Sequence, residues 1–318
     1  MNPLNLPSVW TIDCQYLRPE FAASFLMVEK DQAAFVDTNT THSVPLLIEK
    51  LRTLGLSPEA VSYLIITHVH LDHAGGASAL LKLCPNATLL AHPKAARHMI
   101  DPSKLVTSAK KVYGEAQFDQ LYGAIDSIPK ERVQVIEDGE VIAFGTRTFQ
   151  FFYTRGHANH HFCIWDSASN GVFTGDSFGL AYPALQKRGL FIFPSTSPTD
   201  FDPDEARLSL EKIKETGAER AFLTHFGEVS DLLGAQGQLL KHLEFSQKLL
   251  EKAKALAPCK ASSELTEFCE QELRRYFQNL LEKQGLSGDS EVWDILKLDL
   301  ELNAAGIAYV ASRSSNPA

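Results

Sequence analysis

Thr67-His68-Val69-His70-Leu71-Asp72-His73 sets three imidazoles and a carboxylate within a few positions of one another. These are side-chain types that hold zinc or iron, and at neutral pH most of them are ready to coordinate. A strand-like run, Val61-Ser62-Tyr63-Leu64-Ile65-Ile66, leads into the cluster, and Ala74-Gly75-Gly76-Ala77 leaves it as the start of a helix. The cluster therefore belongs on the loop at the C-terminal end of a strand, where α/β folds carry their ligands. The bland alternative, a histidine-rich exposed loop, has neither flank.

Working outward, two apolar runs within 24–37 are separated by Glu29-Lys30-Asp31-Gln32 and read as a hairpin. Val44 to Leu54 has helical periodicity and stops at Gly55. Beyond the cluster the pattern predicts a helix over about 76–84, a strand at Thr88–Ala91, helices to about 124, and four or five short strands between Val133 and Thr174. A proline- and aromatic-rich stretch at about 180–200 is too long for a turn and reads as part of a site wall. Asp202 to Thr216 is a helix with Pro203 at its start, and Ala221-Phe222-Leu223-Thr224 is a buried strand. From Val229 the pattern is helical, over about 229–256, 263–284 and 290–310, with Ser312 to Ala318 as a frayed tail. The expected organisation is a strand-rich α/β body over 1–228 and a helical extension over 229–318.

The 318 residues carry a net charge of −9, with 44% apolar and 22% charged side chains, ordinary for a globular enzyme. The acidic balance argues against a nucleic-acid partner, and no apolar run approaches a membrane span. Met1-Asn2-Pro3-Leu4-Asn5 shows no basic stretch followed by an apolar run. Five scattered cysteines suit reduced thiols, so the expected setting is cytoplasmic. Cys163 reads as a small core residue of a strand.

Four further features close predicted strands: Asp37-Thr38-Asn39, Thr154-Arg155-Gly156-His157 with His160 and His161, Thr174-Gly175-Asp176-Ser177, and Thr224-His225. Each alone is weak, since a lone strand-end His is usually structural and Gly-Asp-Ser is usually a turn. With the 68–73 cluster, the set and its order resemble the metallo-β-lactamase superfamily over roughly residues 8–228. The resemblance implies an α/β fold, a four-layer αβ/βα sandwich with metals at one edge. It also implies two divalent ions, Zn2+ foremost with Fe or Mn as alternatives. In that pattern His68, His70 and His157 bind one ion; Asp72, His73 and His225 bind the other; Asp176 bridges them. Asp37 then orients a ligand imidazole, and His160 and His161 support the site without binding metal.

Departures from the family pattern narrow the branch. Asn39 stands where glycine is usual, and Asn tolerates positive φ. Asp176 stands where antibiotic-hydrolysing members carry Cys or Ser, which turns the reading toward glyoxalase II-like thioesterases and lactonases. His70 stands where flavodiiron proteins carry Glu. The expected function is hydrolysis of an ester, thioester or lactone through a metal-bridging hydroxide, with Asp72 and Asp176 orienting it. Tyr182 is the expected oxyanion donor, against the alternative of a buried wall residue. An iron-dependent oxidoreductase of persulfide or oxygen chemistry is the second reading, and a phosphodiesterase ranks below it. The expected partner is a small-molecule substrate. The leucines at 232, 233, 239, 240, 243, 249 and 250 read as packing, either onto the body or in a homodimer, and Arg274 and Arg275 as a solvated helix face.

Overall fold

The computed structural model describes residues 9–196 and 199–314; the Met1–Asn5 stretch and the end of the expected tail, from 315, lie outside the described residues. The chain divides into two compact units. One comprises Met1–Tyr153, His160–Gly175 and Ile213–Leu232, the other Thr154–Asn159, Asp176–Lys212 and Leu233–Ala318.

The first unit holds two six-stranded sheets, each with its strands in chain order. One contains β1 (Trp10–Asp13), β2 (Ala23–Glu29), β3 (Gln32–Val36), β4 (Val61–Ile65), β5 (Thr88–Ala91) and β6 (Val133–Val135). Its first three strands are antiparallel and the rest parallel. The other contains β7 (Val141–Phe144), β8 (Arg147–Tyr153), β9 (Phe162–Asp166), β10 (Gly171–Gly175), β11 (Arg220–Leu223) and β12 (Gly227–Val229). It is antiparallel except between β10 and β11. In this unit the helices are α1 (Val44–Thr53), α2 (Leu71–Ala74), α3 (Ala77–Leu83), α4 (Pro93–Ile100), α5 (Ser103–Tyr113) and α6 (Glu115–Tyr122). The helix α7 (Pro203–Glu215) precedes β11.

Alternation along the strands builds two apolar layers. On β2, Phe25 and Met27 face the second sheet and join Phe149, Phe151, Phe173 and Phe222. Leu26 faces the other way and packs with Leu47 and Leu51 of α1 and Leu80 of α3. Strand β3 is covered on both faces, Ala33 and Phe35 on one and Ala34 and Val36 on the other, which is why it reads as an unbroken apolar run after Gln32. One buried charge group crosses the sheets: Arg147 lies 3.2 Å from Asp166 and 3.6 Å from Glu29. Two mixed sheets flanked by helices, with a helical C-terminal part, is the α/β arrangement expected. The short edge strands β1 and β12 were not expected, because a run of three or four residues carries too little periodicity.

The second unit gathers α8 (Leu232–Leu256), α9 (Ser262–Gln284) and α10 (Ser290–Ser314) with the 176–212 segment. The helices came where the periodicity put them, but α10 continues through Ser314. On α8 a stripe from Ala235 through Leu239, Leu243 and Leu250 is buried, whereas Leu233 is 74% exposed and takes no part in the core. Arg275 pairs with Glu272, and the Arg274 guanidinium lies 5.0 Å from the Trp293 ring. In the aromatic stretch near 180–196, Tyr182, Leu185, Phe191 and Phe193 are buried, while Lys187, Arg188 and Gly189 are exposed. Gln238 donates to the Leu190 carbonyl and accepts from Ile192 N–H, and Asn303 accepts from Thr196 N–H. No described helix is long and apolar enough to cross a membrane.

His242 on α8 is buried against Tyr276 and Phe277, with ring centroids 5.2 and 5.5 Å away. Burial pushes its imidazole down to about 3. The unfolded chain takes up this proton near pH 6.5, so the stability held by the neutral ring is complete above that pH and is lost as pH falls toward 3. Lowering the pH from 7.5 to 5 should cost the wild type about 2 kcal/mol more than His242→Gln. Urea midpoints of both proteins at the two pH values measure this, and equal losses would show that the ring does not stay neutral.

Candidate metal centre

The first unit gathers a cluster of ligand-type side chains at the ends of β3, β4 and β11, around one carboxylate. Asp37 follows β3 in a left-handed conformation (φ +55°) and is fully buried. Its Oδ1 accepts from Thr67 N–H at 2.8 Å and from Thr67 Oγ1 at 3.0 Å. Its Oδ2 accepts from Thr224 Oγ1 at 2.7 Å and from His73 Nδ1 at 2.8 Å. An ionised carboxylate only accepts, so His73 must carry its proton on Nδ1 and present Nε2 as a bare lone pair.

His225 is fixed in the same sense, its Nδ1 donating to the Phe21 carbonyl at 2.8 Å. The Asp72 carboxylate lies 3.3 Å from His225 Nε2 and 3.9 Å from His73 Nε2. The three donor atoms all lie within 4.8 Å of one another. Two ligands each about 2.1 Å from a tetrahedral ion stand roughly 3.4 Å apart, so this set fits a divalent cation. His68 Nε2 and His70 Nδ1 face each other at 2.9 Å. When His68 Nδ1 donates to Thr67 Oγ1, 3.1 Å away, the same Asp37-anchored chain leaves His68 Nε2 as a ligand atom.

The short helix α2 is held by the strand-end segment after Asp37. Thr38 N–H and Oγ1 both donate to the His73 carbonyl, and Asn39 donates from Nδ2 to the Asp72 carbonyl at 2.9 Å. Asn39 adopts φ +52° and adds a bond that glycine could not. His161 is buried with its ring 4.8 Å from that of His68. A Cβ on Gly175 (φ +47°) would lie 2.6 Å from both His161 Nε2 and Thr67 Oγ1, so this turn admits only glycine. His160 Nδ1 faces Val69 N–H at a long 3.4 Å.

In the second unit His157 and Asp176 are both buried, with Nε2 and Oδ2 3.5 Å apart. Gly156 (φ +105°) lies so close to α7 that a Cβ there would be 2.3 Å from the Ala206 nitrogen. Tyr182, the expected oxyanion donor, lies in the interior. It is fully buried in this unit and its hydroxyl donates to Asp299 Oδ1 at 3.2 Å, which ties the 176–212 segment to α10.

Sequence reasoning did not pick out Thr67 and Thr224 as partners of Asp37. The signal was there, since each directly precedes a ligand-type histidine in a Thr-His pair at a strand end. Phe21 acts through its carbonyl, which no side-chain pattern reveals.

A family model described as the metallo-beta-lactamase superfamily matches residues 17–225. The metallo-beta-lactamase fold-containing protein ST1585 of Sulfurisphaera tokodaii is 26% identical over 186 residues, 57% of this chain and 63% of that protein. Its crystal structure superposes with a TM-score of 0.64 at 22% identity, covering 95% of this chain and 98% of that one. The rubredoxin-oxygen oxidoreductase of Megalodesulfovibrio gigas is 26% identical over 51% of this chain and 34% of its own length. The atrochrysone carboxyl ACP thioesterase AacuM of Aspergillus aculeatus is 21% identical over 66% of this chain and 49% of its own length. The chain thus spans between about a third and two thirds of these curated relatives.

Proposed function

The chain belongs to the metallo-beta-lactamase superfamily, and from that premise we propose that it is a hydrolase of an ester, thioester or lactone working with two divalent cations, zinc foremost. The observation that carries the reading is the convergence of His73 Nε2 and His225 Nε2 on the Asp72 carboxylate, both imidazoles held in the metal-binding tautomer. The family pattern assigns His68, His70 and His157 to one cation, Asp72, His73 and His225 to the other, and Asp176 to both. Such cations, when bound, acidify a water toward neutral pH and polarise a carbonyl.

The chain's own groups do the rest. Asp37 keeps the imidazoles of His73 and His68 oriented, and Phe21 does the same for His225. The Asp72 and Asp176 carboxylates can take a proton at Oδ and return it to the leaving oxygen or sulfur. The likeness to a protein named a thioesterase supports this reading. The likeness to a rubredoxin-oxygen oxidoreductase supports a second, an iron-dependent oxidoreductase on the same ligand set.

Purified protein with its native metal should hydrolyse members of a panel of p-nitrophenyl esters, acyl thioesters and γ-lactones. A chelator should remove the activity and zinc should restore it. Protein that contains iron, absorbs visible light and hydrolyses none of the panel would favour the second reading.

A further inference from the structure

Two cavities of the second unit are both lined by Arg155, Gly156 and Phe201. The smaller is bordered by His157 and Asp176. The larger is an open cleft of about 450 Å³, within the range of small-molecule sites. The segment common to both is pinned through its backbone. The Arg155 carbonyl accepts from Ser209 Oγ at 2.7 Å, and the Gly156 carbonyl accepts from Asp202 N–H at 3.0 Å. Arg155 is thereby held two positions before His157, while its side chain stays exposed.

Charged groups dominate the cleft, which Arg155 and Arg313 line together with Asp200, Asp202 and Glu205. Two of these carboxylates are already engaged by backbone amides. Asp200 Oδ2 accepts from Asn159 N–H at 3.0 Å, and Asp202 Oδ1 accepts from Asp204 and Glu205 N–H at the start of α7. The guanidiniums are not so engaged. Among the described residues neither forms an ion pair, and Arg313 lies 5.8 Å from the centre of the Tyr309 ring. By contrast Arg207, inside α7, closes on Asp204 at 2.8 Å. An unpaired guanidinium is a planar fork that matches a carboxylate in two hydrogen bonds. Because three carboxylates line the cleft against two guanidiniums, a singly charged anion is repelled less there than a doubly charged phosphate.

We infer that Arg155 and Arg313 bind a free carboxylate on the acyl part of the substrate, so that the cleft selects half-esters or half-thioesters of dicarboxylic acids. That the other end is an ester or thioester rests on the hydrolytic reading above; it lies beside His157 and Asp176. Residues 155 and 157 are at most about 7 Å apart along the backbone, so a few methylenes join the two ends.

The test compares 4-nitrophenyl hydrogen adipate with 4-nitrophenyl hexanoate, a neutral chain of the same length, and with the 4-nitrophenyl ester of 5-phosphonopentanoic acid. Wild-type protein with its native metal should favour the half-adipate over the hexanoate about 100-fold in kcat/KM, mostly through KM. Arg155→Ala should reduce that ratio about 30-fold and Arg313→Ala about 10-fold, and a ratio is indifferent to any loss of folded protein. Calorimetry with adipate itself should show similar losses of affinity. Equal kcat/KM for the half-adipate and the hexanoate, or a ratio that neither variant changes, would overturn the carboxylate site alone. Preference for the phosphonate would overturn the choice of carboxylate. A wild type that binds adipate through both arginines but hydrolyses no ester would overturn the hydrolytic reading and leave the site standing. One that does neither would overturn both.

Discussion

Asp37→Asn should weaken metal binding about 10- to 100-fold while leaving the chain folded. Asparagine has nearly the shape of aspartate and accepts the left-handed conformation at this position. What it lacks is a second acceptor. Asp37 takes hydrogen bonds from Thr67, Thr224 and His73 on two oxygens. With an amide there, an N–H group must confront either the Thr67 N–H or the His73 Nδ1–H. The second case is relieved only if His73 moves its proton to Nε2, which removes the lone pair facing Asp72. Asp37→Ala should do more harm, costing about 3–5 kcal/mol, because it strips a buried network of the carboxylate on which Thr67, Thr224 and His73 meet. Competition with a chromophoric chelator measures the affinity and urea unfolding the stability. An Asp37→Asn protein that binds metal as the wild type does would remove Asp37 from the orienting role.

Under the proposed function Asp176→Ala should abolish hydrolysis, a loss of about 10³-fold or more, since a carboxylate shared by two cations would support several kcal/mol of charge stabilisation. On the same reading metal content should fall from the two ions proposed per chain to at most one. Asp176 directly follows β10, and its carboxylate lies 3.5 Å from His157 Nε2. The substitution leaves the backbone of that turn intact because Gly175 supplies the positive φ. Elemental analysis and turnover on the same sample check both parts. Full activity with two ions bound would show that Asp176 is not a ligand.

Local pattern carried much of the fold into view. The run before His68 and the turn after His73 are adjacent in sequence, so one short window shows strand, ligand loop and helix start together. The Asp37 and Asp176 segments were legible because each closes a strand with a recognisable turn. Edge strands β1 and β12 were not, being too short for a period to register. The partner of Tyr182 was hidden for a related reason. The tyrosine's sequence neighbourhood, just after Asp176, says nothing of Asp299, which lies more than a hundred positions away and holds its hydroxyl.

The sequence by itself determined which ligand-type side chains close the strands, the α/β fold class and the helical C-terminal part, because residue type and local periodicity are properties of neighbouring positions. Only the tertiary structure decided which partner each polar atom takes. Thr67 and Thr224 meet on one buried carboxylate, Phe21 fixes His225 through its backbone, and the Tyr16 ring packs near that of Tyr122, more than a hundred positions away. Those pairings arise from strand order and packing, which set distances between segments that no local window contains.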